Sequence, residues 1–152
     1  FVMREWLCEQ ATIMDAVLAE LESLGLRKIE VLTLSSDERA RATQAIRGGN
    51  WIESEPSRIG GPPGAFAVFF DPKPIQPEAN ERLLRPFCTN QKLAEKTELK
   101  QRIARVWNNG KVVNFIHAAD DEREALEYLE CLEPDRLRTL LSEIDRAERA
   151  EP

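Results

Sequence analysis

Six consecutive apolar residues, Ala65 to Phe70 (AFAVFF), lie between Gly64 and Asp71-Pro72 and leave the chain few ways to fold. A run this short with no polar position must be buried on both faces, so it reads as a central strand that needs partners beside it and layers above and below. Pro72, Pro74 and Pro77 close it off.

The flanking segments supply those partners. Residues 1 to 6 (FVMREW) form a short strand, and Ile13, Val17, Leu18, Leu21 and Leu24 recur at helical spacing until Gly25 stops the helix. Residues 29 to 34 alternate as a half-buried strand, and Ser36, with Asp37 and Glu38 in the first turn, opens a helix running to Gly48-Gly49. Residues 48 to 64 hold five glycines and three prolines and form a loop containing Trp51. Helices are expected over 78 to 86 and 94 to 107, with Asn108-Asn109-Gly110 as a turn. Val112 to Ile116 reads as a strand that delivers His117 at its end. Asp120, Asp121 and Glu122 start the next helix, whose buried face is Ala125, Leu126, Leu129 and Leu132. Pro134 opens the last helix, with Leu137, Leu140, Leu141 and Ile144 inward. The order implies an α+β, ferredoxin-like (βαββαβ) antiparallel sheet with helices packed on it, residues 1 to 6 and 65 to 70 in the middle. Phe66, Phe87 and Trp107 are expected in the core.

At 152 residues and 42% hydrophobic, the chain supports one self-sufficient core, so residues 1 to 152 are read as a single domain. No apolar run approaches the roughly 20 residues needed to span a bilayer, so a membrane partner is not expected. Cys8, Cys88 and Cys131 form no CxxC pair, and one histidine cannot complete a metal site; free thiols in a reducing cytoplasm are the expectation. The net charge of −6 argues against a nucleic-acid partner. Its distribution is uneven: Arg82 to Lys111 carries eight basic residues against Glu95 and Glu98, a segment of +6 that leaves −12 on the rest. Such a patch suits a small polyanion such as a nucleotide.

Asn114-Phe115-Ile116-His117-Ala118-Ala119-Asp120, leading into a helix, resembles the N-x-x-H-G-S-D signature of nucleoside diphosphate kinases. Phe1-Val2-Met3 with the helix ending Leu24-Gly25-Leu26, Gly61-Pro62 before the central strand, and Thr89-Asn90 are similar to further segments of that family. The resemblance implies a phosphotransferase in which His117 takes the γ-phosphate of ATP or another nucleoside triphosphate as phosphohistidine and hands it to a nucleotide or other acceptor. It implies Asn114 at the sugar, Thr89 and Arg85 (or Arg82) at phosphates, and a second cation among Lys100, Arg102 and Arg105, Lys100 being favoured. Mg²⁺ would arrive bound through the nucleotide phosphates, with no metal held by the protein alone. A homo-oligomer is compatible with the family.

The sequence also departs from the family. Glu5 stands where the resemblance implies a lysine, Ala118-Ala119 replaces Gly-Ser, and Tyr128 occupies the place of the glutamate that orients the histidine, with Glu124 and Glu127 as nearby carboxylates. The loop around Trp51 replaces the family's base-clamping segment, with Trp51 either anchoring the loop or stacking on a base. Two readings follow: an enzyme that moves phosphate through His117, or a nucleotide-binding or protein-interaction module that keeps the fold without turnover.

Overall fold

The computed structural model describes residues 1–47, 51 and 60–150. The apolar run lies in β3 (Pro63–Phe70), which pairs antiparallel with β1 (Val2–Arg4) on one side and β2 (Arg27–Thr33) on the other. A further strand, β4 (Ile116–His117), pairs antiparallel with β1. The sheet order is β2-β3-β1-β4, so the chain is α+β, with the expected segments in the middle of a four-stranded antiparallel sheet.

Alternation along the strands sends side chains to two cores. Met3, Ala65 and Ala67 pack on one face against Ile13, Val17 and Leu21 of α2 (Ala11–Ser23) and Leu99 and Ile103 of α6 (Lys96–Trp107). Val2, Leu32 and Phe66 face the other side, against Ala42 of α3 (Ser36–Ala45), Tyr128 and Leu129 of α7 (Glu122–Leu129) and Leu140 of α8 (Pro134–Arg149). Both faces of β3 are covered, which is why its sequence lacks the polar alternation of a half-exposed strand. No helix among the described residues is long and apolar enough to cross a membrane.

Several elements differ in extent from their sequence pattern. The first strand stops at Arg4 because Glu5–Cys8 winds into α1, its leading amides donating to the Pro62 and Gly60 carbonyls. Gly64 permits this close approach, since a Cβ there would meet Cys8 Sγ at 2.6 Å. β4 is Ile116–His117 rather than 112 to 116, because a three-residue β1 offers it no longer edge. The cap of α3 is Ser35, one residue before the expected Ser36. Ser35 Oγ accepts from the Glu38 amide at 3.3 Å while Glu38 Oε2 accepts from the Ser35 amide at 2.8 Å. The expected stop at Gly48-Gly49 and most of the 48 to 64 loop lie outside the described residues. The helix expected over 78 to 86 is α4 (Ala79–Leu84), and the one expected over 94 to 107 is α6, starting at Lys96 after a separate short helix, α5 (Gln91–Ala94). Asn109 (φ 49°) and Gly110 (φ 77°) form the expected turn.

The core reading holds for Phe66 and fails for Phe87 and Trp107, which are 75% and 45% exposed. Phe87 follows α4, a helix with no buried residue, and Trp107 ends α6 beyond its buried positions Leu99, Ile103 and Ala104. Leu126 and Leu141 are exposed too, because Tyr128 and Leu129 carry the inner face of α7 and Leu140 that of α8.

Candidate active site

His117 sits on the edge strand β4 in register with Val2 of β1. Two aromatic rings enclose it: Trp51 meets it edge-on at 5.7 Å between centroids, and Tyr128 lies tilted at 5.9 Å. The Tyr128 hydroxyl is 3.0 Å from His117 Nε2. Burial, with repulsion from Lys96, lowers the His117 pKa to about 4, so the imidazole is neutral near pH 7. Burial and a hydrogen bond to Glu124 push the Tyr128 phenol far up, so it keeps its proton. In the tautomer protonated on Nε2 the phenol oxygen accepts from Nε2–H and the imidazole lone pair is on Nδ1. Glu124 is itself fixed: its Oε2 accepts from the Asp120 amide at 2.6 Å, and its own amide donates to the cap residue Asp121 at 2.7 Å.

The residue eleven positions after the histidine therefore reaches the ring, as a tyrosine, and Glu124 stands behind it. Glu127 points elsewhere, pairing with Arg123 at 2.8 Å.

Lys96 and Lys100 both act on this ring, and Arg4 and Arg85 add to the charge felt by Lys100. Lys100 Nζ donates to Asn114 Oδ1, and burial followed by repulsion from Lys96, Arg4 and Arg85 lowers its pKa to about 8. Lys96 is lowered as well, mainly by burial, although Asp120 pulls the other way; its Nζ donates to the Ala118 carbonyl at 3.5 Å. Arg85 is braced on the Ala94 carbonyl at 3.0 Å and on Thr97 Oγ1 at 3.2 Å. Arg4, fully buried, donates to the Gly61 and Asn114 carbonyls at 2.7 and 3.2 Å and stacks over the Trp51 ring at 4.6 Å. Lys96, Lys100 and Arg85 make no ion pair with any carboxylate among the described residues. Like charges held this close repel one another, and an anion among them would relieve the repulsion.

The rest of the basic segment is committed elsewhere. Lys92 is paired with Asp71 at 2.6 Å, and Arg102 with Glu20 at 3.0 Å. Arg82 and Arg105 are exposed, and five residues of helix turn Arg105 roughly 140° away from Lys100. Of the residues singled out from sequence, Lys100 acts on His117 and donates to Asn114, Arg85 adds to the charge at Lys100, and Arg105 is turned away. Thr89 is held against the loop that follows His117, its amide and hydroxyl both donating to the Asp120 carbonyl, at 3.0 and 3.4 Å.

Two contributors escape the sequence reading. Lys96 lies one helical turn before Lys100, a spacing that puts both on one face. Arg4 interrupts an apolar strand with a charge, beside the Glu5 position where the resemblance implies a lysine. Trp51 donates from Nε1 to the Ile46 carbonyl at 2.9 Å, so it does anchor its segment. At 5% exposure, with Arg4 over its ring and His117 against it, it has no face open for a base. Glu5 does not stand unpaired near the cations: its Oε1 accepts from Arg39 at 2.7 Å.

The chain matches no protein-family model, no curated protein and no solved structure.

Proposed function

We propose that this protein is a divergent phosphotransferase that resembles the nucleoside diphosphate kinases, with Nδ1 of His117 as the atom that takes the phosphoryl group. The observation that carries this reading is a neutral, half-buried imidazole in the field of Lys96 and Lys100, with Arg4 and Arg85 acting in turn on Lys100. A phosphoryl group in transfer spreads negative charge over its oxygens, and fixed cations held ready for that charge lower the barrier without reorganising. Neutrality gives the nucleophile its lone pair. The sheet order β2-β3-β1-β4, with α2 between β1 and β2 and α6 between β3 and β4, supports a ferredoxin-like plan of the kind that family uses.

The donor would be ATP or another nucleoside triphosphate, its phosphates on Lys100, Lys96 and Arg85. The described residues include no group of three or more His, Cys, Asp or Glu side chains placed to hold a metal ion. Mg²⁺ fits here as a companion of the nucleotide phosphates, where it would neutralise charge on the β- and γ-oxygens.

Incubation of the pure protein with γ-labelled ATP and Mg²⁺ tests the reading. Label that is acid-labile, base-stable and absent from His117→Gln is the expected result. No label at millimolar ATP, or equal label in both proteins, overturns it. A second reading, a nucleotide-binding module without turnover, draws on Asn114: its Oδ1 is already occupied by Lys100. Nucleotide binding without phosphohistidine would select that reading.

A further inference from the structure

Tyr128 also lines a second space, one that His117 does not reach: a cavity of about 530 Å³ between the sheet and the two helices α7 and α8. Its floor is Val2, Phe66 and Val68, and its opposite walls include Leu129 of α7 and Ile144 of α8. Small residues make the space: Ala118, Ala119 and Ala125 stand where larger side chains would fill it. Protein interiors pack to the density of organic crystals, with few voids larger than a water molecule. A chamber of this size falls instead within the roughly 300 to 1,000 Å³ of small-molecule sites. Leu126, on its wall, is 41% exposed, so the apolar surface is reachable from solvent.

The side-chain charge at the cavity has one sign. Asp71, Asp121, Glu122 and Glu148 line it, and no lysine or arginine does. Asp71 is neutralised by Lys92, and Asp121 caps α7. Glu122 and Glu148 are exposed and meet no cation among the described residues. Arg27 lies over the Phe70 ring at 5.1 Å, but its guanidinium donates to the Ala147 carbonyl. An apolar chamber with carboxylates at its edge selects a ligand with an apolar body and a positive end, because each part then meets its complement.

We infer that this cavity is a second binding site, lined by none of the four cations though it shares Tyr128, Thr89 and Ala118 with the surroundings of His117, and that it takes a small amphiphile carrying a protonated amine. It rests on the cavity and the carboxylates at its edge, and stands or falls apart from phosphoryl transfer. Ala125→Phe fills the chamber from its α7 wall, and Glu122→Gln with Glu148→Gln removes the unpaired charge.

The test is titration calorimetry at pH 7 and low salt with decylamine, decanol and decanoate, each below its aggregation concentration. Decylamine is expected to bind saturably at one site, with decanoate at least about ten-fold weaker, a difference of one decade in Kd. Ala125→Phe should weaken decylamine by about ten-fold or more while circular dichroism shows the fold retained. The paired glutamine variant should bring decylamine toward decanol. Should Ala125→Phe fail to fold, Val68→Phe fills the same space from the sheet. Equal affinity for amine and carboxylate, no saturable binding of decylamine, or binding unchanged in a folded cavity-filling variant overturns the proposal.

Discussion

Tyr128 holds His117 by a hydroxyl 3.0 Å from Nε2, from the side opposite the atom that would do chemistry. Tyr128→Phe keeps the ring and deletes this bond, so stability should fall by about 1 kcal/mol. The imidazole then loses its fixed tautomer, and phosphoryl incorporation should slow about five-fold if the whole of that energy acts in the transition state. Because the chain has one histidine, nitrogen-15 shifts report the tautomer directly. The wild type is expected to show the proton on Nε2, and the variant a mixture. An unchanged spectrum would mean that the hydroxyl does not set the tautomer.

The same ring makes stability depend on pH. Unfolded, it binds a proton near 6.5; folded, its pKa is lowered to about 4 by burial and Lys96. Between those values the unfolded chain holds more protons, so stability falls as pH drops from about 6.5 to about 4 and levels off below. Solvent reaching the partly exposed ring limits the effect to at most about 2 to 3 kcal/mol. His117→Gln removes this dependence, so urea melts at successively lower pH should show the variant gaining on the wild type across the window. A constant difference between the two would refute the depressed pKa.

What can be read from the sequence depends on which interactions are local. The run Ala65 to Phe70 announces β3 because burial on both faces leaves no room for a polar residue, and Asn109-Gly110 announces its turn because few residues accept positive φ. Asn114, His117 and Lys100 stand out as candidates from motif and spacing, and a hydrogen bond joins two of them, Lys100 and Asn114. Arg4 is not, since its partners Gly61 and Asn114 are 57 and 110 residues away and only the folded sheet brings them to it. Tyr128 reads as a lost carboxylate; its hydroxyl reaches the ring only because α7 packs over the sheet beside β4. Phe87 and Trp107 mislead because an aromatic residue at apolar spacing carries no mark of which helix end outruns the core.

Lys100 offers a trade between stability and binding. Its charge is partly buried and repelled by Lys96, Arg4 and Arg85, and its only described partner is the neutral Asn114 side chain. Lys100→Met keeps the length of the stem and removes the charge, so the folded state should be unchanged or firmer by up to about 1 kcal/mol. Affinity for ATP should fall by about 1 to 3 kcal/mol if the ammonium meets a phosphate. Thermal melts and calorimetry on one protein sample separate the two effects. Loss of stability together with unchanged ATP affinity would make Lys100 a structural residue.

Glu5 and Arg39 decide what the missing lysine means. The carboxylate accepts from Arg39 at 2.7 Å, and both side chains are only partly exposed, at 40% and 36%. A pair of this kind is worth about 0.2 to 1 kcal/mol. Glu5→Lys therefore does more than restore a cation: it sets two positive groups against each other, at a cost of about 1 kcal/mol in stability. Beside Arg4 it also deepens the positive field of the cluster, so ATP affinity at low salt should rise. Combining Glu5→Lys with Arg39→Glu rebuilds the ion pair in reverse and returns the local charge to its starting value. Stability should recover in the double variant and affinity should drop back toward wild type, while either substitution alone remains the less stable. If the double variant is no more stable than Glu5→Lys, the pair is not what anchors Glu5. If ATP affinity ignores the charge of both residues, the ligand lies beyond reach of this corner of the site, and the cation next to it in sequence, Arg4, becomes the group to test.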